Sequence, residues 1–428
     1  MGTERKNILT LGWEFPPAFT GGLGVACYHI VKTLSTQANI HLIVPFAGAE
    51  SNLENVGVVG LNELEQEFAG EPLGEEFKNF LLSRVPVELS AYPSFLLGKG
   101  GQRGMEDVKH FSTWTDVSDY FRTHNLYGWD ILQRTQMFAK ISMRIASRRK
   151  FDFIYAHDWP TFQAALELKH DTHKPLVLHI HSLETDRAGE KTRNEIYDIE
   201  KMAMQEADKV IAVSDYTKQQ IISHYGIEKS KIEVAYNGAE VASPSLFKKR
   251  TGEKWITFVG RITFQKGPQF IVETASKLIR VYPNVRFIIA GGGDLFASLV
   301  HEVARQKLGK HFSFTGFLSR EKVKDLLAVS DAYFMPSVSE PFGLSAMEAV
   351  SQGTASVISR RSGVAEVLTN SLQADFWDTD RFANYLYAIL KYPKLKKTIE
   401  DRSRKDIEHL TWETTVEKIM NVYSTLSI

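Results

Sequence analysis

A single cysteine, Cys27, stands in a chain of 428 residues. That excludes an intramolecular disulfide framework and any cysteine-based metal site. No stretch approaches the roughly 18 apolar residues that a membrane-spanning helix needs. The opening "MGTERKNILTLGWEFPP" holds too short an apolar run for a span and has no small-residue cleavage site, so it reads as a first β-strand. Net charge is lacking too, with 51 Lys and Arg against 51 Asp and Glu. A soluble, cytoplasmic protein is expected, with no nucleic-acid partner. Disorder is excluded by a composition that is 43% hydrophobic and 24% charged.

The zero balance conceals an asymmetry. Residues 1–243 carry 25 Lys and Arg against 32 Asp and Glu, whereas residues 244–428 carry 26 against 19. A basic half attracts an anionic ligand or docks on the acidic half, and charge alone does not choose.

What is present in quantity is alternation. Short β-rich runs ("NILTLGW", "IHLIVPF", "FDFIYAHD", "PLVLHIHS", "KVIAVSD", "KIEVAYNG") alternate with helical patterns, then a polar connection near 240–254 precedes a second set. That set is "WITFVGRI", "VRFIIAGGG", "HFSFTGFL", "AYFMPS" and "ASVISR". The expected fold class is α/β, two doubly wound Rossmann-like domains facing across a cleft. The expected domains are 1–243, 244–405, and a helical tail 406–428 that packs on either half. Ligands of such folds bind outside the C-terminal ends of the strands. Tyr92, Trp114, Tyr120, Phe121, Tyr127 and Trp129 fall in the least regular stretch, 66–136, and read as a hydrophobic cluster before they read as sugar-stacking rings.

Three glycines, Gly21, Gly22 and Gly24, precede a helix in "FTGGLGVACYHIVKTL", where backbone N–H groups approach an anion. The spacing meets neither the dinucleotide nor the P-loop fingerprint, so a plain tight turn remains an equal reading. In "FVGRITFQKG", Arg261 and Lys266 follow a strand directly, placing two cations where a diphosphate would sit. Chance charges on a solvated loop explain that motif as well. "SVSEPFGLSAMEAVSQG" sets Glu340 before a helix and Glu348 inside it. Eight residues at 1.5 Å rise separate them by roughly 12 Å. A hydrolytic pair needs about 5–9.5 Å. They suit two ends of one extended ligand whose anionic middle meets the N–H groups of Phe342 to Ser345. Helix capping by Glu340 is the competing account. "DTD", Asp378 to Asp380, reads as a solvated turn.

In combination, "EPFGLSAMEA", "GRITFQKG", "YNGAE", the early "GGLG" and "SGVAEV" occur in the order of a known family. The chain resembles the retaining nucleotide-sugar glycosyltransferases of the GT-B fold, family 4, in particular their glycogen and glucan synthase-like members. The resemblance implies that Gly22, Leu23 and Gly24, with Arg261 and Lys266, hold a donor diphosphate. It implies ribose hydroxyls at Glu348 and a base against the backbone of Phe317 and Leu318. Glu340, with the amides of Phe342, Gly343 and Leu344, would orient the transferred sugar. His181 would lie beside the reacting carbon; alone, it reads as a strand-end histidine with a structural hydrogen bond. Asp158 and Trp159, in "AHDWPT", would orient the acceptor. The scheme implies no cofactor and no metal. Three departures stand out: Phe19 replaces the lysine of starch-type synthases two residues before Gly-Gly, Ser362-Gly363 replaces a later Gly-Gly, and the family's usual proline after "GT" is replaced within "GTASV".

The expected activity is transfer of a hexosyl, foremost glucosyl, group from a nucleoside-diphosphate sugar to a carbohydrate hydroxyl, plausibly of an α-glucan. The alternatives are a small-sugar or membrane-lipid acceptor, a nucleotide-sugar epimerase, and a non-catalytic nucleotide-sugar binder. Lys140, Arg144, Arg148, Arg149 and Lys150 supply the basic helix for peripheral membrane contact, against which the acidic balance of the N-terminal half weighs. Donor base, acceptor identity and oligomeric state are not encoded in any motif.

Overall fold

The computed structural model describes residues 5–18, 21–78, 81–82, 107–108, 111–122, 126–128, 130–240, 249 and 252–426. Phe19, Tyr92 and Trp129 lie outside the described residues. Fifteen strands are found among the described residues. The first sheet uses β1 Asn7–Leu11, β2 Asn39–Val44, β3 Val56–Gly60, β6 Phe153–His157, β7 Leu176–Ile180, β8 Lys209–Ala212 and β9 Ile232–Val234. The second uses β10 Lys254–Val259, β11 Val285–Ala290, β12 Phe312–Gly316, β13 Ala332–Met335, β14 Ser356–Ser359 and β15 Leu372–Ala374. β4 Leu81–Leu82 and β5 Asp107–Val108 form a small antiparallel pair.

Both large sheets are parallel, in orders β3-β2-β1-β6-β7-β8-β9 and β12-β11-β10-β13-β14-β15. The order reverses between β1 and β6 in one sheet and between β10 and β13 in the other, and a crevice opens at each such point. The strands are buried on both faces, which is why they read as near-continuous apolar runs such as "FIYAH" and "LVLHI". β3 ("VGVVG") and β15 ("LQA") are edge strands absent from the sequence reading; glycine and a three-residue length hide the pattern.

The chain crosses between the sheets twice. After β9 it passes Gly238 and Ala239, and Ala239 N–H donates to Leu410 O at 2.7 Å. The final helix, Trp412–Leu426, returns to the first sheet. Its Val416, Ile419 and Tyr423 share one core with Ile8, Phe153, Tyr155 and the helix Gly22–Leu34. Gly238 permits the return, because a Cβ there would lie 2.4 Å from Trp412 N.

Trp114, Tyr120, Phe121 and Tyr127 are all buried in the first core, the hydrophobic cluster of the plainer reading. Three cations of the basic helix Ile131–Ala146 and its end are paired in place. Arg144 and Arg148 pair with Glu71, Arg149 pairs with Glu67, and the first two lie over the ring of Phe68. No helix among the described residues is long and apolar enough to cross a membrane.

Ile419 is fully buried between the last helix and the first sheet. Ile419→Ala is therefore expected to lower the unfolding free energy by about 2–5 kcal/mol, read as a reduced urea midpoint.

Candidate functional site

In the second half the site begins where β10 stops. The chain leaves through Gly260 and Arg261, makes a tight turn at Phe264–Lys266, and enters the helix Pro268–Val281. Gly267 takes a left-handed φ of 64°, and a Cβ there would meet Pro336 O at 2.5 Å. Only glycine lets this turn press against the end of β13, and the turn carries Lys266 to Glu340. Lys266 Nζ forms an ion pair with the Glu340 carboxylate, which also accepts from Ser337 Oγ at 3.2 Å. Arg261 Nη2 donates to Gln265 Oε1 at 3.3 Å.

The helix Leu344–Ser351 starts behind Gly343, whose φ is 113°, and has no side-chain cap. The capping account of Glu340 is thereby corrected: its carboxylate faces lysine, not the helix amides. The N–H groups of Phe342, Gly343, Leu344 and Ser345 donate to no protein acceptor among the described residues. All four residues line one cavity, so the positive end of this helix opens into it.

Glu348 lies one turn further in. Burial pushes its carboxyl up to about 7, against the pull of Arg320 and with a push from Glu240. Arg320 and Lys324 both pair with Glu240, which also meets His29 Nε2 at 2.8 Å. Phe317, 62% exposed, and Leu318 follow β12 at the same wall, with the Phe317 ring against Gly292.

The first half supplies the opposite wall from the ends of β1, β6 and β7. Gly22 opens the helix Gly22–Leu34, and a Cβ at Gly22 would lie 3.4 Å from the Leu344 side chain. Two helix N-termini thus meet across the cleft. Past β1, Glu14 is buried and accepts from Tyr127 Oη at 2.6 Å. Past β6, Asp158 is held at φ 59° and ψ 166°, a region that side-chain-bearing residues avoid at a cost of about 1–3 kcal/mol. Its Oδ1 accepts the N–H of His181 at 2.7 Å and of Ser182 at 3.3 Å. Burial raises Asp158 to about 7, with Arg187 pulling the other way. Arg187 donates to Ser182 Oγ at 3.0 Å and pairs with Glu184 and Glu200.

His157, His179 and His181 bring three ring nitrogens within 4.8 Å of one another. His157 Nδ1 meets His181 Nε2 at 3.0 Å, and His179 Nδ1 meets Tyr155 Oη at 2.6 Å. The rings of His179 and His181 stack at 4.3 Å and 17°, so their in-plane lone pairs run side by side and do not converge on one point. That geometry favours a hydrogen-bonded stack over ligation. Burial depresses His181 to about 3, so the ring is neutral at physiological pH and acts through hydrogen bonding.

One cavity of about 340 Å³ gathers these walls. Of the residues singled out from sequence, Gly22, Leu23, Asp158, Trp159, His181, Arg261 and Lys266 line it. So do Phe317, Leu318, Glu340, Phe342, Gly343, Leu344 and Glu348. Gly24 does not; it is buried inside the first helical turn. Asp378 and Asp380 lie elsewhere, the first capping the helix Thr379–Lys391 and the second pairing with Lys277. Tyr127, read from sequence as part of a hydrophobic cluster, lines the cavity as well, and Glu14, Arg187, Asn237 and Arg320 line it without having been singled out. The available signal was position: Glu14 lies three residues past the end of β1, as Asp158 lies one past the end of β6.

Residues 244–406 match the family of Glycosyl transferases group 1, and residues 112–243 match Glycosyltransferase Family 4. The chain is 29% identical over 439 residues to an uncharacterized glycosyltransferase of Methanocaldococcus jannaschii, covering 97% of each chain. It is 24% identical to a glycogen synthase of Mycobacterium tuberculosis, covering 97% of this chain and 94% of that one. Among solved structures it superposes on sucrose-phosphate synthase of Thermosynechococcus elongatus with a TM-score of 0.69 at 16% identity, covering 99% of both. It also superposes on HepE of Anabaena in complex with UDP and glucose, with a TM-score of 0.67 at 17% identity, covering 98% of this chain and 100% of that one.

The raised carboxyl of Glu348 fixes a pH dependence. A folded-state value above the unfolded one gives stability that is present below about pH 4.5 and lost as pH rises through about 7. Glu348→Gln is expected to raise the melting midpoint near pH 8, by up to roughly 3 kcal/mol of stability, and to leave it unchanged near pH 4.5. Thermal melts at the two pH values check this; Asp158 remains in both proteins and cancels.

Proposed function

We propose, for a chain that belongs to the GT-B-fold glycosyltransferases of the family 4 and group 1 superfamily, that the cleft moves a hexosyl group from a nucleoside-diphosphate sugar to a carbohydrate hydroxyl. Retention of the anomeric configuration and a glucosyl donor are part of this reading. Convergence carries it: Arg261, Lys266 and two helix N-termini meet in one cavity, with Glu340 and Glu348 at separate stations along it. A nucleotide sugar has that charge pattern, an anionic middle between two hydroxyl-bearing ends. The likeness to a glycogen synthase and to a protein bound to UDP and glucose supports the glucosyl choice. Residues 1–243 serve as the acceptor half and 244–405 as the donor half, with 406–428 as the returning tail.

In this scheme Arg261, Lys266 and the amides at Gly22 and Leu23 and at Phe342 to Leu344 take up the charge that develops on the departing diphosphate. Glu348 accepts from ribose hydroxyls, and the base lies against the backbone of Phe317 and Leu318. Glu340 and neutral His181 orient the sugar, and Trp159 flanks the acceptor. The bond from the anomeric carbon to the distal phosphate breaks while the acceptor oxygen bonds on the same face. The acceptor proton passes to the leaving phosphate oxygen. Asp158 binds the amides at His181 and Ser182, so its part in acceptor orientation includes shaping that loop. No step is assigned to a metal. A membrane-lipid acceptor is disfavoured, because Arg144, Arg148 and Arg149 pair with Glu67 and Glu71.

Arg261→Ala with Lys266→Ala is expected to lower transfer by at least about a hundredfold while circular dichroism shows a folded protein, with a lower melting midpoint because Glu340 loses its lysine. Near-normal transfer by that variant overturns the reading. Of ADP-, UDP- and GDP-glucose, the true donor at about 100 times its Kd adds about 2.7 kcal/mol of stability, which a melting screen detects.

A further inference from the structure

The segment Ser339–Glu340–Pro341 follows β13 and so belongs to the second half, yet side chains of the first half hold it on both sides of Glu340. Ser214 Oγ and Thr217 Oγ1 donate to the Pro341 carbonyl at 2.6 and 3.1 Å. Ser339 Oγ pairs with Tyr216 Oη at 2.8 Å and donates to the Asp186 carboxylate. Asp186, Ser214, Thr217, Ser339 and Glu340 are each at least nine-tenths buried, so these bonds are shielded from water and stiff. The two halves touch closely here: a Cβ added to Gly363 would lie 2.4 Å from the Ser214 Cβ.

Within its own half Glu340 has few alternatives. Its N–H donates to Arg361 O and its carbonyl accepts from Gly363, both at 2.9 Å. The backbone between these anchors is then aimed by what grips Ser339 and Pro341. Asp186 lies on the short helix Glu184–Ala188, which follows His181 and Ser182 and also carries Arg187. The acceptor wall and the sugar-contacting carboxylate are therefore joined by one hydrogen-bonded path.

We infer that Asp186, Ser214, Tyr216 and Thr217 are positioning residues for Glu340, and that its carboxylate takes its working orientation only while the halves are joined at this seam. This rests on the reading of Glu340 as a contact to the transferred sugar. The consequence is a coupling of chemistry to interdomain contact: loosening the seam costs turnover far more than nucleotide affinity, because Arg261, Lys266 and Glu348 all belong to the second half and only the amides at Gly22 and Leu23 reach the diphosphate from the first.

The test uses the full chain with Ser339→Ala and Tyr216→Phe, each made alone and on top of Glu340→Gln. Initial rates are read beside the Kd for UDP, or for ADP or GDP where the melting screen selects one of them. Expected is a fall in kcat of about ten- to a hundredfold for Ser339→Ala, with the nucleoside-diphosphate Kd within about twofold of wild type. On the Glu340→Gln background neither change lowers the rate further, the mark of residues acting as a unit. Tyr216→Phe removes one hydroxyl near the surface of the seam and keeps the test open should Ser339→Ala not fold. Wild-type kcat in the folded seam variants, or losses that multiply with Glu340→Gln, overturns the positioning role and leaves the site reading intact. Near-normal turnover by Glu340→Gln alone overturns both.

Discussion

The ion pair between Lys266 and Glu340 is the constraint around which the cleft is arranged. Both groups are largely withdrawn from solvent, with 17% and 7% of their side chains exposed. A charge in that position is costly unless compensated, and each supplies the other's compensation. Everything nearby serves to bring them together: the left-handed turn at Gly267, the close contact of that turn with Pro336, and the pinning of Glu340 between Arg361 and Gly363. An anion drawn to Lys266 shares the lysine's donors and loosens its grip on Glu340. The carboxylate is then available to hydroxyl donors. In the proposed function, phosphate binding and sugar orientation become two aspects of one electrostatic exchange.

Topology explains why this pair has company. Each sheet reverses its strand order once, and both reversals face the same cleft. Side chains just past β1, β6, β7, β10 and β13 therefore enter a shared space although they are distant in sequence. The final helix reinforces the arrangement by leaving the second half and completing the core under the first sheet. The halves are tied by covalent crossings at two places and by the hydrogen-bonded seam at Pro341. Their relative placement is specified by packing as well as by linker length.

The sequence disclosed the alternating architecture and most of the cavity wall because both rest on local patterns. Buried parallel strands are apolar runs, and Arg261, Lys266, Glu340 and Glu348 sit at fixed offsets from such runs. Gly24 shows the limit of that logic. It shares a motif with Gly22 and Leu23, yet helical geometry turns it inward. β3 and β15 were hidden because glycine and short length erase periodicity. Arg320 and Arg187 were hidden for another reason: each owes its place to partners on other elements, Glu240 for Arg320 and Glu200 for Arg187. Asp158 was visible as a residue, but its strained backbone and its hold on the His181 loop are tertiary facts.

The partners already held by the carboxyls of the cleft argue for a mechanism of placement over one of acid–base exchange. His181 is neutral, its pKa depressed by burial. Glu348 and Asp158 are both raised to about 7, so near neutrality each divides between charged and uncharged forms. Glu340 is engaged by lysine, and Asp158 by two backbone amides. A hydrolase needs one carboxyl that keeps its proton and a second, free carboxylate at a defined spacing from it. The carboxyls Glu340, Glu348 and Asp158 do not supply that couple. They are arranged to accept hydrogen bonds or to fix backbone, while the cations and helix amides carry the electrostatics. A leaving group that is itself a polyanion fits such a site, because it brings the proton acceptor with it and asks the protein only for charge and geometry.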